Sequence, residues 1–262
     1  MTDGPGMLDT LVRHLHASGP VRVWSLIVSI LGDISGAQGQ VPLPEILSLT
    51  ARMGIDERAV RTALSRLSRD GLARSDRAEG VTRYGFDTAG RGLFEQAQAR
   101  IYVSPQALAT AQWRLAVLPP VRAADRNRML DALHAQGAAV AAQGLALWPA
   151  CQPVEAGQAA VLPFAPMAVP DWMRAAFCTD AAAHAYADIA RCAVLPVSRG
   201  EERAARVLLL HRWRRTVLRH PPVPAVLAAP DWPFAQAHAA MARSYRTLAA
   251  RDPDFDAGSR FS

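Results

Sequence analysis

Residues 56–71 read Asp56-Glu57-Arg58-Ala59-Val60-Arg61-Thr62-Ala63-Leu64-Ser65-Arg66-Leu67-Ser68-Arg69-Asp70-Gly71, and the reading of the fold turns on this stretch. Val60, Ala63, Leu64 and Leu67 recur on one helical stripe, while Arg58, Arg61, Thr62, Ser65, Arg66 and Arg69 take the other positions. The pattern predicts a helix with one core face and one cationic face. Asp56 is placed to cap its free N–H groups, and Glu57 sets a negative charge in the first turn. The helix is expected to run to Asp70 and stop at Gly71.

Working outward, Gly54-Ile55 reads as a tight turn closing a preceding helix that opens near Pro44 and carries Ile46, Leu47, Leu49 and Ala51. Before it, Asp33 to Val41 reads as a loop. Val23, Trp24, Ile27, Val28 and Leu31 then mark a largely buried helix from Val21 to about Gly32. Downstream, Leu72 to Ser75 and Thr82 to Phe86 are strand-like, joined through Asp76-Arg77-Ala78-Glu79-Gly80 as a hairpin. Two helices, a tight turn, a basic helix and a basic hairpin follow one another in winged helix-turn-helix order.

The remaining chain reads as a helix from Thr88 toward Ile101, with Ser104-Pro105 ending the domain. A buried strand at Trp113 to Leu118 follows, halted by Pro119-Pro120, then a helix from about Ala124 to Gln136. Ala138 to Leu147 supplies one or two strands. Val161-Leu162-Pro163 and Cys192 to Pro196 are short apolar runs around a helix at Pro170 to Ala176, so the middle of the chain reads as a small α+β unit. Glu201 to Arg219 is helical, Pro221, Pro222 and Pro224 break the chain, and a last helix runs from near Pro233 to Ala250 with Ala237, Met241, Tyr245 and Leu248 on one stripe.

At 262 residues the chain has room for more than one folded unit, and half of it is hydrophobic. Its formal charge of +6 and sequence pI of about 10.0 favour a polyanionic partner. All 29 of the basic residues counted as Lys or Arg are arginine, a side chain whose fork suits phosphate and guanine contacts. Cys151, Cys178 and Cys192 are odd in number and far apart, which suggests neither a disulfide framework nor a metal cluster. No signal core opens the sequence, and the apolar run from Val21 to Leu31 is too short to span a bilayer. A cytoplasmic location is expected, with no membrane partner.

A cationic helix can enter the major groove and read base edges while a basic hairpin grips neighbouring phosphates. The DNA-binding candidates are accordingly Arg58, Arg61, Thr62, Ser65, Arg66 and Arg69 on the helix, with Arg77 and Arg83 on the wing. An arginine-rich helix taken alone is as often a solvated face, and the preceding helices and the hairpin decide between the two.

The segment Arg61-Thr62-Ala63-Leu64-Ser65-Arg66-Leu67, with Asp70-Gly71-Leu72 and Tyr84, resembles the recognition helix and wing of the PaaX family, repressors of phenylacetate catabolism operons. Far downstream, His211-Arg212-Trp213-Arg214-Arg215, then Pro221, Val223-Pro224, Leu227 and Asp231-Trp232-Pro233, resembles that family's C-terminal signature. The resemblance implies an α+β chain in three parts: a winged helix-turn-helix over 1–103, a ferredoxin-like dimerisation and effector domain over 104–196, and a helical domain over 197–262. It also implies a homodimer on double-stranded operator DNA, released by an acyl-CoA-type effector such as phenylacetyl-CoA. His220 stands before Pro221 where the family pattern has an acidic residue.

Arg212, Trp213 and Arg215 are candidate effector contacts, because arginine forks suit the phosphates of a CoA moiety and Trp offers a flat face. The alternative is that these side chains lock the last helices onto the middle domain, and Trp232 reads as core. The middle domain also resembles small CRISPR-associated endoribonucleases, which need an Asp at the end of the first strand to hold a metal. Here that strand ends Leu118-Pro119-Pro120, and Asp125 opens the next helix. His14 and His16 lie in a terminal segment read as disordered. No metal-ligand spacing, nucleophile elbow or phosphate loop is present, so neither catalysis, a cofactor nor a metal is expected. A protein-interaction scaffold is the third class, and it would not need the cationic helix.

Overall fold

A computed structural model describes residues 5–17, 19–35 and 39–252. The chain is of α+β type, in the order α1 (Met7–Ala17), α2 (Val23–Ile34), β1 (Val41–Pro42), α3 (Leu43–Arg52), α4 (Glu57–Arg69), β2 (Ala73–Ala78), β3 (Val81–Phe86) and α5 (Thr88–Ile101). It continues with α6 (Pro105–Thr110), β4 (Trp113–Val117), α7 (Ala123–Ala135), β5 (Ala139–Ala141), β6 (Leu145–Pro149), β7 (Ala160–Pro163), α8 (Asp171–Phe177), α9 (Asp180–Cys192), α10 (Glu202–Arg219) and α11 (Phe234–Ala250).

Two compact units result, and neither is continuous in sequence. Of the described residues, the first gathers those within Met1–Tyr102, Ile189–Arg214 and Ala240–Ser262; the second gathers Val103–Asp188 and Arg215–Ala239. Where the sequence suggests three consecutive parts, much of α10 and α11 is thus built into the unit that holds α1 to α5. Hydrogen bonds show the reason: the fully buried Trp213 donates its indole N–H to the Ile101 carbonyl at 2.8 Å, and Tyr245 donates to Asp33 at 2.6 Å.

In the first unit the core is laid down by α2, α3 and α4, with Leu26, Ile27, Ile30, Leu31, Ile46, Met53 and Val60 fully excluded from solvent. The helix α2 is turned from its expected setting, since Trp24 is 39% exposed while Ser25 and Ser29 are buried. Those serines meet polar partners on α10: the Ser29 hydroxyl lies 2.9 Å from His211 Nδ1, and Arg214 donates to Ser29 Oγ and the Ser25 carbonyl. The sheet is three-stranded and antiparallel in the order β1-β3-β2. Its short outer strand β1 falls where the sequence reads as the end of a loop, because two residues carry no periodicity.

The second unit holds a four-stranded antiparallel sheet in the order β5-β6-β4-β7. Its α7 joins β4 to β5, and Leu130, Leu133, Ala116, Ala146 and Trp148 form the core between helix and sheet. The connection from β6 to β7 carries no helix. Arg174 on α8 donates to the carbonyls of Val226, Leu227 and Ala228, which fixes the chain after α10 within the same unit. The helix α9, absent from the sequence expectation, buries Ala182, Tyr186, Ile189 and Cys192 on one helical stripe.

Candidate nucleic-acid interface

The helix α4 is built as its sequence dictates. Asp56 accepts from the Arg58 and Ala59 N–H groups at 2.9 and 3.3 Å, satisfying two donors that no helical carbonyl can reach. At the other end Gly71, with φ of 70°, lets its own N–H reach the Ser68 carbonyl and that of Leu72 reach the Leu67 carbonyl. This paired closure satisfies carbonyls that would otherwise be orphaned, and φ > 0 is why a glycine stands there. Between the caps Val60, Ala63, Leu64 and Leu67 are all buried. The opposite face carries Arg58, Arg61, Thr62, Ser65, Arg66 and Arg69, every one exposed.

The cationic face is only loosely tied down. Arg61 pairs with Glu57 at 2.7 Å, while Arg66 and Arg69 approach Asp70 at 3.5 and 3.8 Å. The three guanidinium side chains keep 54%, 66% and 76% of their exposure, so these pairs sit in water and hold little energy, about 0 to 1 kcal/mol each. Thr62 donates its hydroxyl back to the Arg58 carbonyl, leaving its oxygen lone pairs outward.

The hairpin is longer and tighter than the sequence reading. The strand β2 continues through Asp76, Arg77 and Ala78, and only Glu79 and Gly80 form the turn, with φ of 53° and 79°. A two-residue turn with both central residues at positive φ matches the twist of the flanking strands. Residues 76–78 read as loop, yet their backbones pair with Val81, Thr82 and Arg83. Alternation then places Arg77 with its partner Thr82 on one face and Arg83 with its partner Asp76 on the other. Arg77 and Arg83 therefore leave the hairpin from opposite sides. Arg74, exposed on the same face as Arg83 and Asp76, is a cation the sequence reading missed; strand alternation would have found it had β2 been extended.

Two family models match this chain: that of PaaX-like protein over residues 22–86, and that of PaaX-like protein C-terminal domain over residues 171–257, together more than half of the sequence. The chain belongs to the PaaX-like family. The first match covers α2 through β3, the elements that carry the exposed arginines, and the second covers α8 through α11. Transcriptional repressor PaaX of Escherichia coli (strain K12) is 34% identical over 109 residues, which is 41% of this chain and 34% of that protein. The aligned region thus spans about a third of the relative's length. Among solved structures, uncharacterized protein Rv0674 from Mycobacterium tuberculosis shares the fold with a TM-score of 0.58 over 87% of this chain and 95% of its own, at 18% identity.

The C-terminal signature residues of this PaaX-like chain take different surroundings. Trp213 is wholly buried within the first unit, bonded to Ile101 of α5 rather than to the middle of the chain, whereas Arg215 is exposed on the second unit. Arg212 is half-buried in the first unit, and burial pulls it below the ordinary arginine range. Trp232 is half-buried and meets Tyr186 edge-on at 6.4 Å. His14 and His16 are helical rather than disordered: they lie on α1, where His16 Nε2 is 2.9 Å from the Met53 carbonyl. Asp125 lies in the first turn of α7 with its carboxylate against Arg128. Among the described residues no group of three or more His, Cys, Asp or Glu side chains could hold a metal ion, and no helix is long and apolar enough to cross a membrane.

Proposed function

We propose that this chain is a DNA-binding transcriptional regulator. In this reading α2, α3, α4 and the three-stranded sheet act as a winged helix-turn-helix that sets α4 in the major groove and the β2–β3 hairpin on flanking backbone. One observation carries it: every apolar side chain of the α4 stripe is buried and every one of the six polar candidates is exposed. The name of the Escherichia coli relative, a transcriptional repressor, agrees.

The finer reading follows the family resemblance: a cytoplasmic repressor of an aromatic, phenylacetate-type catabolic operon, acting as a homodimer and released by an aryl-CoA effector. The strand order β5-β6-β4-β7 with one crossover helix supports a ferredoxin-like dimerisation unit, with a loop in place of the second crossover helix. A dimer would meet two half-sites about 34 to 36 Å apart, so a modest rotation between protomers would release the operator.

The test is a gel shift with the chain's own upstream region and the double variant Arg61→Ala with Arg66→Ala. Loss of binding with an unchanged melting temperature is the expected result. Unchanged affinity removes the operator reading.

A further inference from the structure

Between α3 and α4 the chain turns over Met53 to Asp56, and the last of these residues caps α4. The Thr50 and Ala51 carbonyls that α3 leaves open are taken within the turn, by the Ile55 and Gly54 N–H groups at 3.0 Å each. The Met53 carbonyl is met from outside the motif. His16, in the last turn of α1, stands with Nε2 at 2.9 Å from it, and because a carbonyl only accepts, the ring nitrogen donates. The imidazole lies against the backbone of the turn itself, since a Cβ at Gly54 would stand 3.2 Å from the same nitrogen. We infer that His16 is a positioning residue for DNA binding, and that α1 belongs to the apparatus that aims α4, although it precedes residue 22, where the match to the N-terminal family model begins.

A positioning group must itself be held, and α1 is. Met7, Leu8, Leu11 and Leu15 are buried on one stripe of the helix. The Met7 N–H donates to the Pro196 carbonyl at 2.8 Å, and His14 Nδ1 lies 3.8 Å from the Cys192 sulfur. His16 therefore stands on a helix anchored to residues 192–196, and it fixes the turn from that second point of reference. Ile55 is buried and Asp56 accepts from the first N–H groups of α4, so a shift of the turn carries the start of α4 with it. Exposed side chains meet a groove productively only when the element bearing them is held to within about half an ångström, and hydrogen bonds behind the contact surface supply that precision. The role in DNA binding rests on the reading of the chain as a DNA-binding regulator; the contact between His16 and the turn does not.

The full chain is compared with His16→Phe, which keeps a ring but no donor, with His16→Asn, whose amide is too short to reach, and with His16→Gln, which returns an N–H close to the place of Nε2. Affinity for a labelled upstream DNA fragment is expected to fall by about fivefold in His16→Phe and His16→Asn, the worth of one net hydrogen bond, and to return to within about twofold of wild type in His16→Gln. All three should melt close to wild type, the side chain being exposed. Rescue by glutamine separates the donor from a charge on phosphate, which glutamine does not restore. Wild-type affinity in His16→Phe and His16→Asn, or an equal loss in all three variants, overturns the inference; if His16→Phe melts early, the asparagine and glutamine variants decide it. If the wild-type chain does not bind the fragment, the operator reading fails and the role in DNA binding with it. The amide signals of Gly54 and Ile55 in 1H–15N NMR then judge the contact alone: shifts in His16→Asn that His16→Gln reverses support it, and unshifted signals overturn it.

Discussion

Arg206 and Asp33 form an ion pair from which water is fully excluded: the guanidinium Nε donates to Asp33 Oδ2 at 2.9 Å, and neither side chain has any exposure. The same guanidinium donates to Asp252 at 2.8 Å, and Tyr245 donates to the second oxygen of Asp33. A buried pair of this kind is weak evidence for net stability, but breaking it strands a charge in a low-dielectric interior. Arg206→Met is therefore expected to destabilise the chain by about 3 to 5 kcal/mol, read as a shift of the urea midpoint at constant slope. Combining it with Asp33→Leu should restore a large part of the loss. If Arg206→Met alone unfolds at the wild-type midpoint, the pair carries no such weight.

Acid should weaken the same cluster. Burial alone would raise the Asp252 carboxyl, but hydrogen bonds from Arg203 and Arg206 outweigh it and hold the group below its ordinary value of 3.8. A carboxyl depressed in the folded state contributes stability above its unfolded value, and that contribution is lost as pH falls through the folded value. The stability gap between wild type and Asp252→Asn should consequently be constant near neutrality and close on acidification from about pH 4 downward. Urea melts at several pH values measure it, and a gap that does not change with pH would refute the assignment.

Both of these residues illustrate what the sequence leaves hidden. Asp33 reads as the start of a loop and Arg206 as one arginine among many, because a charge is normally solvated and nothing local marks the one that is buried. The helix α4 is legible because stripe, cap and stop all agree within sixteen residues, 56–71. The strand β1 and the outer half of β2 are set by pairing across the sheet rather than by local pattern, and Trp24 is exposed because α2 turns its serines to α10. The candidate arginines of α4 were legible for the same reason as the helix. Arg74 and the opposed directions of Arg77 and Arg83 required the register.

The two glycines of α5 should respond in opposite ways. A Cβ at Gly90 would lie 1.9 Å from the Leu72 carbonyl oxygen, a backbone atom that cannot step aside without disturbing the cap of α4. At Gly92 a Cβ meets nothing within 4 Å. Gly90→Ala is expected to cost at least about 1 to 3 kcal/mol as an overpacked site. Gly92→Ala should stabilise by up to about 1 kcal/mol, the helix propensity difference. Thermal melts of the two variants give the comparison, and equal effects would mean that α5 and Leu72 are not packed so closely.

Asp70 is the residue whose charge most directly opposes a DNA-binding role for α4. It is the nearest carboxylate to both Arg66 and Arg69, at 3.5 and 3.8 Å, and it stands at the C-terminal end of the helix, where the dipole already disfavours a negative side chain. Replacing it by asparagine removes two weak, solvent-screened pairs at a cost within about 0.5 kcal/mol, since the helix end gains what the pairs lose. On DNA the effect should be larger, because the carboxylate repels phosphate and competes for the two guanidinium groups. Asp70→Asn is therefore expected to bind the upstream fragment several-fold more tightly at low salt, with the advantage shrinking as salt rises, since the gain is electrostatic. Gel shifts of wild type and variant at three salt concentrations measure it. Equal affinities throughout would mean that α4 does not present Arg66 and Arg69 to the duplex.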